Sequence, residues 1–319
     1  MKSSNAVAVS QRSYEKPLGK RMLNCWQLYL FLLIPIAQII IFKYWPMAGI
    51  QIAFKNYDYR LGIWDSPWAG IKYFQQFFQS YMSKRVIINT LRLSIYNLIA
   101  GFPIPIVFAL LLNVVSNKRY KKLVQSVTYM PHFISTVVLV GILTQMLNVH
   151  TGLYGHAYQL FHNGEKAKDI LGIAKAFPDL YVWSGIWQSF GFNSIIYVAS
   201  LSSVDASLHE AAEIDGANRF QRVLHVDLPA ILPTISIMLI LAFGNIMSVG
   251  YEKAYLMQNT LNTSYSEIIS TYVYKVGIQN GGGNFSFGTA IGLFNSVVNF
   301  ILLFAVNFIT NKMGGASLW

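Results

Sequence analysis

One short stretch of the chain concentrates side chains that could take part in chemistry. Residues 210–233, EAAEIDGANRFQRVLHVDLPAILP, hold four acids and two arginines between two long apolar runs. Paired carboxylates can serve as general acid and base. However, neither a G-x-S-x-G elbow nor a G-x-x-x-x-G-K-S/T phosphate loop occurs in the sequence. We therefore expect these acids to contact a partner, and we expect the chain to be no enzyme.

Three histidines and a run of glycines also suggest, at first, a metal or phosphate site. His150, His156 and His162 recur every six residues, a spacing that does not put two imidazoles on one helical face. The glycines at 281–283 lack the lysine of a phosphate loop and fit a flexible loop or a partner contact. The single cysteine, Cys25, excludes an intramolecular disulfide. We expect no metal and no cofactor on this chain.

Composition indicates which elements must position these residues. The chain is 54% hydrophobic and 12% charged, against about 25% charged in soluble proteins. Because a helix needs about 20 apolar residues to cross a membrane, six segments qualify as spans, and none alternates with period two as a β-barrel strand does. The predicted spans are residues 26–45, 86–115, 123–148, 180–204, 229–250 and 288–309. The expected fold is an all-α integral membrane protein with six transmembrane helices.

Basic residues predict the orientation of the spans. The formal net charge is +11, but no basic patch interleaved with aromatics accompanies it, so we expect no nucleic-acid partner. Five basic residues lie in the tail 1–25, and four lie in the six-residue loop 117–122. Short basic loops stay in the cytoplasm. We therefore expect a multi-pass protein with both termini and the stretch 210–233 on the cytoplasmic side.

The stretch itself is expected to fold as helix, turn, helix beneath the membrane. Leu208, Ala211 and Ala212 share one face at helical spacing, and Gly216 permits a turn. Pro229 and Pro233 mark the start of the next membrane helix, because proline costs about 3 kcal/mol in a helix interior. Spacing alone leaves open a hairpin that only joins two spans.

These residues resemble the EAA loop of binding-protein-dependent ABC importers, in which E-A-A is followed by D-G-A, a leucine–proline pair and a further proline. The chain departs from that pattern only in minor ways, such as Val226 and Asp227 before the leucine. YMPHFIS (129–135), SGIWQSFGFNSIIY (184–197), TYVYKVGI (271–278) and the ending GGASLW are similar to the oligosaccharide and polysaccharide branch, which includes alginate-type and lipoprotein-linked systems. The resemblance covers residues 28–319.

The resemblance implies a five-part importer of the bacterial plasma (inner) membrane. Its parts are an extracytoplasmic solute-binding protein, two similar permeases and two ATP-binding subunits, which carry ATP and Mg²⁺. This chain would be one permease, with a MetI-like type I core of five helices plus one N-terminal helix. The implied division is a cytoplasmic tail 1–25, a first transmembrane helix with an extracytoplasmic loop 26–84, a transmembrane domain 85–312 with the EAA loop 207–233, and a cytoplasmic C-terminus 313–319.

The resemblance also assigns a role to the EAA segment, which would be the coupling helix that seats in a groove of the ATPase. Small alanines would permit close approach, the acids would meet basic residues or helix N-termini, and the glycine would fix the turn. The implied coupling residues are Glu210, Ala211, Ala212, Asp215, Gly216, Ala217, Arg219, Leu228, Pro229 and Pro233.

Polar and aromatic residues within the later spans are candidates for a sugar path, because sugars stack on aromatic rings and bond to amides. The candidates are Trp183, Trp187, Gln188, Asn193, Asn245, Tyr251, Asn295 and Asn299. The alternative is that asparagines bond across helices for about 0.6 kcal/mol each and that tryptophans form interfacial belts.

The sequence thus predicts a permease subunit of an ATP-driven importer that moves an oligosaccharide or complex glycan across the membrane. An ion-gradient-driven transporter of a small polar solute is the alternative, although it needs a membrane-buried acid or inverted repeats. A membrane enzyme acting on glycans is a third reading, which needs a catalytic acid or a metal. The glycan, and the permease that holds it, stay open.

Overall fold

The computed structural model describes residues 26–279 and 283–312 of the chain. The basic tail 1–25, most of the glycine run and the C-terminal segment 313–319 lie outside the described residues. The chain divides into two compact units at Gln51 and Ile52, and each is described by itself.

The described part of the first unit, from Trp26 onward, is one apolar helical run. Helix α1, Trp26–Ile39, contains no buried residue. It continues through a π-helical turn, Ile40–Tyr44, and a 3-10 segment, Trp45–Phe54. This run is long and apolar enough to cross a membrane. The predicted span 26–45 is therefore confirmed as a helix of suitable length and composition.

The second unit is built from helices that are mostly joined by short turns. In its described part the only strand-like pairing is an isolated bridge between Lys55 and Trp68. The helices are α2 Gly62–Asp65, α3 Lys72–Gln79, α4 Tyr81–Gly101, α5 Pro103–Val114, α6 Lys118–Tyr129, α7 Thr136–Met146, α8 Leu153–Phe161, α9 Phe177–Asn193, α10 Ile195–Ser202, α11 Ala206–Ile214, α12 Arg219–Arg222, α13 Leu228–Gly244, α14 Tyr251–Met257, α15 Thr263–Ser266, α16 Ile269–Tyr274 and α17 Phe285–Lys312.

Among the described residues, four helical runs are long and apolar enough to span a membrane, or five if one bent pair forms a single span. The four runs are Trp26–Phe54, Tyr81–Val114, Arg219–Gly244 and Phe285–Lys312. They confirm an all-helical chain with several apolar helices. The count of six spans stays a prediction, because two of the predicted segments are broken.

The predicted span 123–148 is the bent pair. Lys118–Phe133 and Thr136–Met146 meet at an angle of 97°. Ile134 and Ser135 between them are extended, and the Ser135 hydroxyl accepts a hydrogen bond from Val138 N at 3.3 Å, which caps α7. A serine N-cap after an extended residue starts a new helix, so the segment changes direction here.

The predicted span 180–204 is divided at Ser194 into α9, of 17 residues, and α10, of 8 residues. The buried Ser194 hydroxyl donates to the carbonyl of Gly191 at 2.5 Å. A serine that bonds back to its own helix competes with the regular ladder, and this bond coincides with the division. α10 alone is shorter than a spanning helix requires, and α9 alone reaches only the lower limit of the range.

The predicted span 229–250 has different ends. Pro229 lies in the first turn of α13, as predicted, but Pro233 is inside that helix, and α13 ends at Gly244. A π-helical turn, Val223–Asp227, joins α12 to α13, so the helical run starts at Arg219 within the charged stretch. Pro229 has no backbone N–H to donate, and the wider π-helical turn before it tolerates the missing hydrogen bond.

Three clusters of buried apolar side chains hold the second unit together. One joins α3, α16 and α17, a second joins α4, α9 and α14, and a third joins α5, α10 and α13. Representative buried residues are Phe77 and Ile291, Leu93 and Val182, and Ala109 and Ile231.

Gly191 marks a close approach between α9 and α6. A Cβ atom added there would lie 2.3 Å from the carbonyl oxygen of Thr128. Backbone atoms cannot move aside as a flexible side chain can, so only glycine fits without a shift of one helix.

We predict that Gly191→Ala destabilises the protein by about 1–3 kcal/mol through overpacking. The measurement is thermal unfolding of the purified protein. Gly141→Ala is the matched control, because a Cβ there meets nothing within 4 Å and alanine favours a helix by about 1 kcal/mol. Equal unfolding temperatures for the two variants would contradict the close approach.

Candidate functional site

The charged stretch forms a hairpin of α11 and α12. The Asp205 side chain caps α11 by accepting from Ser207 N at 3.0 Å. Gly216 ends the first arm with a φ of +77°, a backbone conformation that side chains disfavour. Asn218 and Gln221 then form a reciprocal capping box at the start of α12. The predicted helix, turn, helix is confirmed as local structure.

The first arm of the hairpin presents an open surface. No residue of α11 is buried; Glu210 and Ala211 are exposed, and Ala212 is half-buried. Ile214 at its end is 86% exposed. A short helix with exposed small and apolar residues offers a surface on which another protein can pack closely.

Four of the ten predicted coupling residues line one concavity of about 340 Å³ at the bend of the hairpin. They are Ala212, Asp215, Gly216 and Ala217, and they share it with Gln221, Arg222, His225 and Val226. The structure therefore brings together the D-G-A turn and the second alanine, while Glu210 and Ala211 lie exposed on the preceding turn.

The other predicted coupling residues serve the base of the hairpin. Arg219 lines a separate apolar groove between the hairpin and α5. Leu228 packs on the cluster that contains Ile231. Pro229 and Pro233 are exposed on α13. These four are not part of the open concavity.

The backbone hydrogen bond from Ser207 lowers the pKa of the exposed Asp205 carboxyl. Accepting hydrogen bonds favours the charged form of a carboxylate. The cap therefore stays charged at neutral pH, next to the N-terminus of α11, where a negative charge is favourable.

A second feature is a pair of adjoining polar cavities between α4, α9 and α13. Their volumes are about 360 and 290 Å³. Both are lined by Asn97 and Asn245, and the larger is also lined by Asn193. Of the eight predicted path residues, Asn193 and Asn245 are thus brought together here. Amides beside apolar walls can bond to hydroxyl groups of a polar solute.

Sequence reasoning missed two polar residues of α4 that line these cavities. Ser94 and Asn97 lie one helical turn apart and so share a face. The Ser94 hydroxyl lines the smaller cavity, is buried, and has no hydrogen-bond partner within the described residues. A search of the first long span for polar residues at i, i+3 spacing could have found the pair.

The remaining amide candidates lie elsewhere. Gln188 donates to the carbonyl of Ile134 at 2.8 Å and so braces the bend before α7. Asn299 accepts from Met247 N at 2.8 Å and donates to Ser248 Oγ at 2.9 Å. These two residues bond across segments, as the alternative reading of the sequence proposed. Asn295 is half-buried on α17, and its Oδ1 lacks a partner in the part of the chain that is described.

The aromatic candidates do not line the two cavities either. Trp183 donates from Nε1 to Tyr96 Oη at 2.9 Å, and Tyr96 donates to Asp179 Oδ1 at 2.7 Å. Trp187 is 49% exposed. Tyr251 packs against Tyr255 and Tyr274, with ring centroids 5.6 and 5.1 Å apart.

One buried cation lies behind the wall of the smaller cavity. Lys253 Nζ donates to the carbonyl of Tyr181 at 2.7 Å and lies 4.8 Å from the centroid of that ring, and Tyr181 lines the cavity. Burial lowers the pKa of Lys253 to about 8. The lysine is therefore largely charged at neutral pH, and its amine is bonded to the backbone of α9.

The sequence predicts no metal site on this chain. Within the described residues, no group of three or more His, Cys, Asp or Glu side chains is arranged to hold a metal ion. His156 and His162 each bond through Nδ1 to the carbonyl four residues earlier.

An all-helical chain with several apolar helices, a polar cavity between them and an open polar hairpin has the form of a membrane transport subunit. The chain belongs to the family of binding-protein-dependent transport system inner membrane components, whose model matches residues 101–315. The predicted family, its MetI-like fold and the prediction of a non-enzymatic transport subunit are thereby confirmed.

Known relatives cover nearly the whole chain. Protein LplB of Bacillus subtilis strain 168 is 41% identical over 292 residues, which are 92% of this chain and 91% of that protein. The polygalacturonan/rhamnogalacturonan transport system permease protein YteP of the same strain is 38% identical over 320 residues, 99% of this chain and 98% of that protein.

Solved structures agree with these relatives. A chain in the crystal structure of a bacterial ABC transporter that imports the acidic polysaccharide alginate is 36% identical, with a TM-score of 0.83. The match covers 93% of this chain and 99% of that one. A second structure, of the alginate transporter with a periplasmic protein bound to an alginate pentasaccharide, gives a TM-score of 0.85 at 35% identity.

The capping box makes the hairpin testable. We predict that Asn218→Ala speeds hydrogen exchange of the amides at the start of α12, because loss of an N-cap costs about 1 kcal/mol. Hydrogen exchange with mass spectrometry measures this. Asn218→Asp keeps the capping oxygen and should exchange as the unaltered protein does. Equal exchange in the alanine variant would show that the cap does not hold the hairpin.

Proposed function

We propose that this chain is a permease subunit of an ATP-driven importer and that it translocates an oligosaccharide or complex glycan received from a solute-binding protein. The observation that carries the proposal is the hairpin with its open α11 face and its D-G-A bend, in a chain of this family. In this proposal the hairpin, within the EAA loop 207–233, couples the chain to ATPase subunits.

The same-side arrangement of two segments supports a cytoplasmic hairpin. Asn117 caps α6, and the basic residues that the sequence assigned to a loop 117–122 form the first turns of that helix. Asn117 and Arg219 of the hairpin line one groove. Four of the six residues 117–122 are basic, and short basic segments beside the membrane stay in the cytoplasm. Both this segment and the hairpin therefore face the cytoplasm in the proposal, as do the two termini.

The exposed face of α11 fits the proposed contact. Ala211 and Ala212 would let the ATPase surface approach closely, and Glu210 and Asp215 would accept charge-assisted hydrogen bonds from its basic groups. ATP and Mg²⁺ would be bound by the two ATPase subunits, with no cofactor on this chain. Closure of those subunits would then shift the permease between inward- and outward-open states.

The polar cavities give the glycan a path. The side chains of Asn97, Asn193 and Asn245 line their larger part and are exposed in this chain, which fits a path completed by a second permease. YteP is named for polygalacturonan and rhamnogalacturonan transport, and the solved transporter for alginate import, so a polysaccharide fragment, and an acidic one among the candidates, is the proposed cargo.

The other sequence readings lose their support. A binding-protein-dependent family does not fit a transporter driven by an ion gradient, and among the described residues no metal-binding cluster favours a glycan enzyme. The division into residues 26–84 and 85–312, and a sixth span formed by α9 with α10, stay part of the proposal.

The coupling role makes one prediction. Gly216→Val forces a β-branched side chain into a positive φ and adds bulk, and Glu210→Arg reverses a charge on the open face. We expect about tenfold less ATPase to co-purify with the double variant than with the unaltered importer, because substitutions at hot-spot residues remove much of the binding energy of an interface. Ser202→Ala is the control, because its exposed hydroxyl bonds only to Val198 O within α10. ATPase that remains fully bound to the double variant would refute the coupling role.

The path makes a second prediction. Asn97→Leu and Asn245→Leu each remove an amide from the cavity wall, and each lost hydrogen bond costs about 1 kcal/mol, roughly fivefold in rate. We expect slower uptake of galacturonan and alginate oligosaccharides by proteoliposomes that contain the complete importer, with ATPase content unchanged. Ser296→Ala on α17 is the control, since that hydroxyl bonds to Gly292 O of its own helix. Unchanged uptake in both leucine variants would place the path elsewhere.

A further inference from the structure

Asp227 is a buried acid at the base of the hairpin. It is 2% exposed and ends the π-helical turn that joins α12 to α13. A carboxylate removed from water is costly unless donors surround it. A π-turn inserts an extra residue into a helix and often occurs at functional sites. The position therefore calls for an explanation beyond helix packing.

Two side chains from different segments approach one oxygen of this acid. His209 Nε2 of α11 lies 3.3 Å from Asp227 Oδ1, and Asn113 Nδ2 of α5 donates to the same Oδ1 at 3.1 Å. Asp227 itself continues directly into α13. One carboxylate oxygen thus links the proposed coupling helix to two apolar helical runs.

The surroundings are mostly polar and charged, and Val114 and Val223 form the apolar part of the wall. A cavity of about 280 Å³ at this junction is lined by His209 and Glu213 of α11, Arg219 and Arg222 of α12, and Asn113 with Ser116 at the end of α5. Arg222 also forms an ion pair with Glu213. The positive charges of α12 therefore offset the negative charges of both Asp227 and Glu213.

The two ties of α11 differ in their environment. The Glu213 side chain is 61% exposed, and exposed ion pairs contribute about 0–1 kcal/mol. The Asp227 side chain is 3% exposed, whereas the His209 side chain that approaches it is 30% exposed. The contact of His209 with this buried carboxylate links α11, which has no buried residue, to the helices beyond.

We propose that Asp227 is a positioning residue that locks α11 to α5 and α13, so that a displacement of α11 moves both membrane helices together. The inference rests on the proposed coupling role of α11 and adds the element that transmits its movement. Without the tie, α11 would move on the flexible turn at Gly216 while the membrane helices stayed behind.

The test uses the complete importer in proteoliposomes with its binding protein, loaded with the galacturonan and alginate oligosaccharides. Uptake and ATP hydrolysis are measured together, and their ratio reports coupling. The variants are Asp227→Ala, His209→Ala, both combined, and Asp227→Asn, with Ser202→Ala as the control. His209 is at the half-exposed end of the tie, so His209→Ala tests the proposal even if Asp227→Ala fails to assemble.

We expect each alanine variant to lower the uptake per ATP about tenfold, which lies within the usual range of coupling energies. The combined variant should be no more impaired than the more impaired of the two single variants, because both remove the same contact. Asp227→Asn keeps an oxygen that accepts from Asn113 and should perform better than Asp227→Ala. An unchanged ratio in His209→Ala, additive losses in the combined variant, or an asparagine variant as poor as the alanine variant would overturn the tie.

The outcome is separable from that of the proposed function. The tie variants should keep wild-type amounts of bound ATPase, because they leave the open face of α11 intact. If the unaltered importer takes up the glycan only with ATP, and the tie variants keep its ratio, the tie alone is wrong. If the unaltered importer shows no ATP-dependent uptake, the proposed function fails first.

Discussion

A spanning segment must satisfy its backbone N–H and C=O groups without water, and the rest of this structure depends on that constraint. In hydrocarbon an unpaired backbone group costs several kcal/mol, so spans are helices and irregular backbone is tolerated only where protein or a water-filled cavity surrounds it. The long runs Tyr81–Val114, Arg219–Gly244 and Phe285–Lys312 meet the requirement directly. The interruptions elsewhere are therefore informative, because each needs a local reason.

Two helix ends coincide with the polar cavity. Asn193 is the last residue of α9, and Asn245 follows the last residue of α13, and both line the larger cavity. A helix C-terminus leaves carbonyl groups without intrahelical donors. Here the last carbonyl groups of both helices already accept hydrogen bonds. What the two helix ends place at the cavity is therefore a pair of amide side chains that a polar solute can use.

Sequence reasoning reached the parts of the molecule that depend on local order. Composition gave the membrane class, the E-A-A and D-G-A spacing located the hairpin, and Gly216 was identified as the turn that its positive φ confirms. Helix interruption at Ser194 was missed because apolarity continues through it. Ser94 was missed because the candidate path residues came from the later spans alone.

Asp227 was missed for a different reason, since its partner Asn113 is 114 residues away and no spacing rule connects them. The π-turn that orients it is equally invisible in a sequence. Yet this junction gives the proposed movement a continuous route: the run Arg219–Gly244 starts in the hairpin and ends beside Asn245 at the cavity. At 1.5 Å per residue such a run extends about 40 Å. A helix of that length that is tied at its hairpin end carries a small rotation there to the cavity wall, whereas an untied hairpin would absorb the rotation in its own turn.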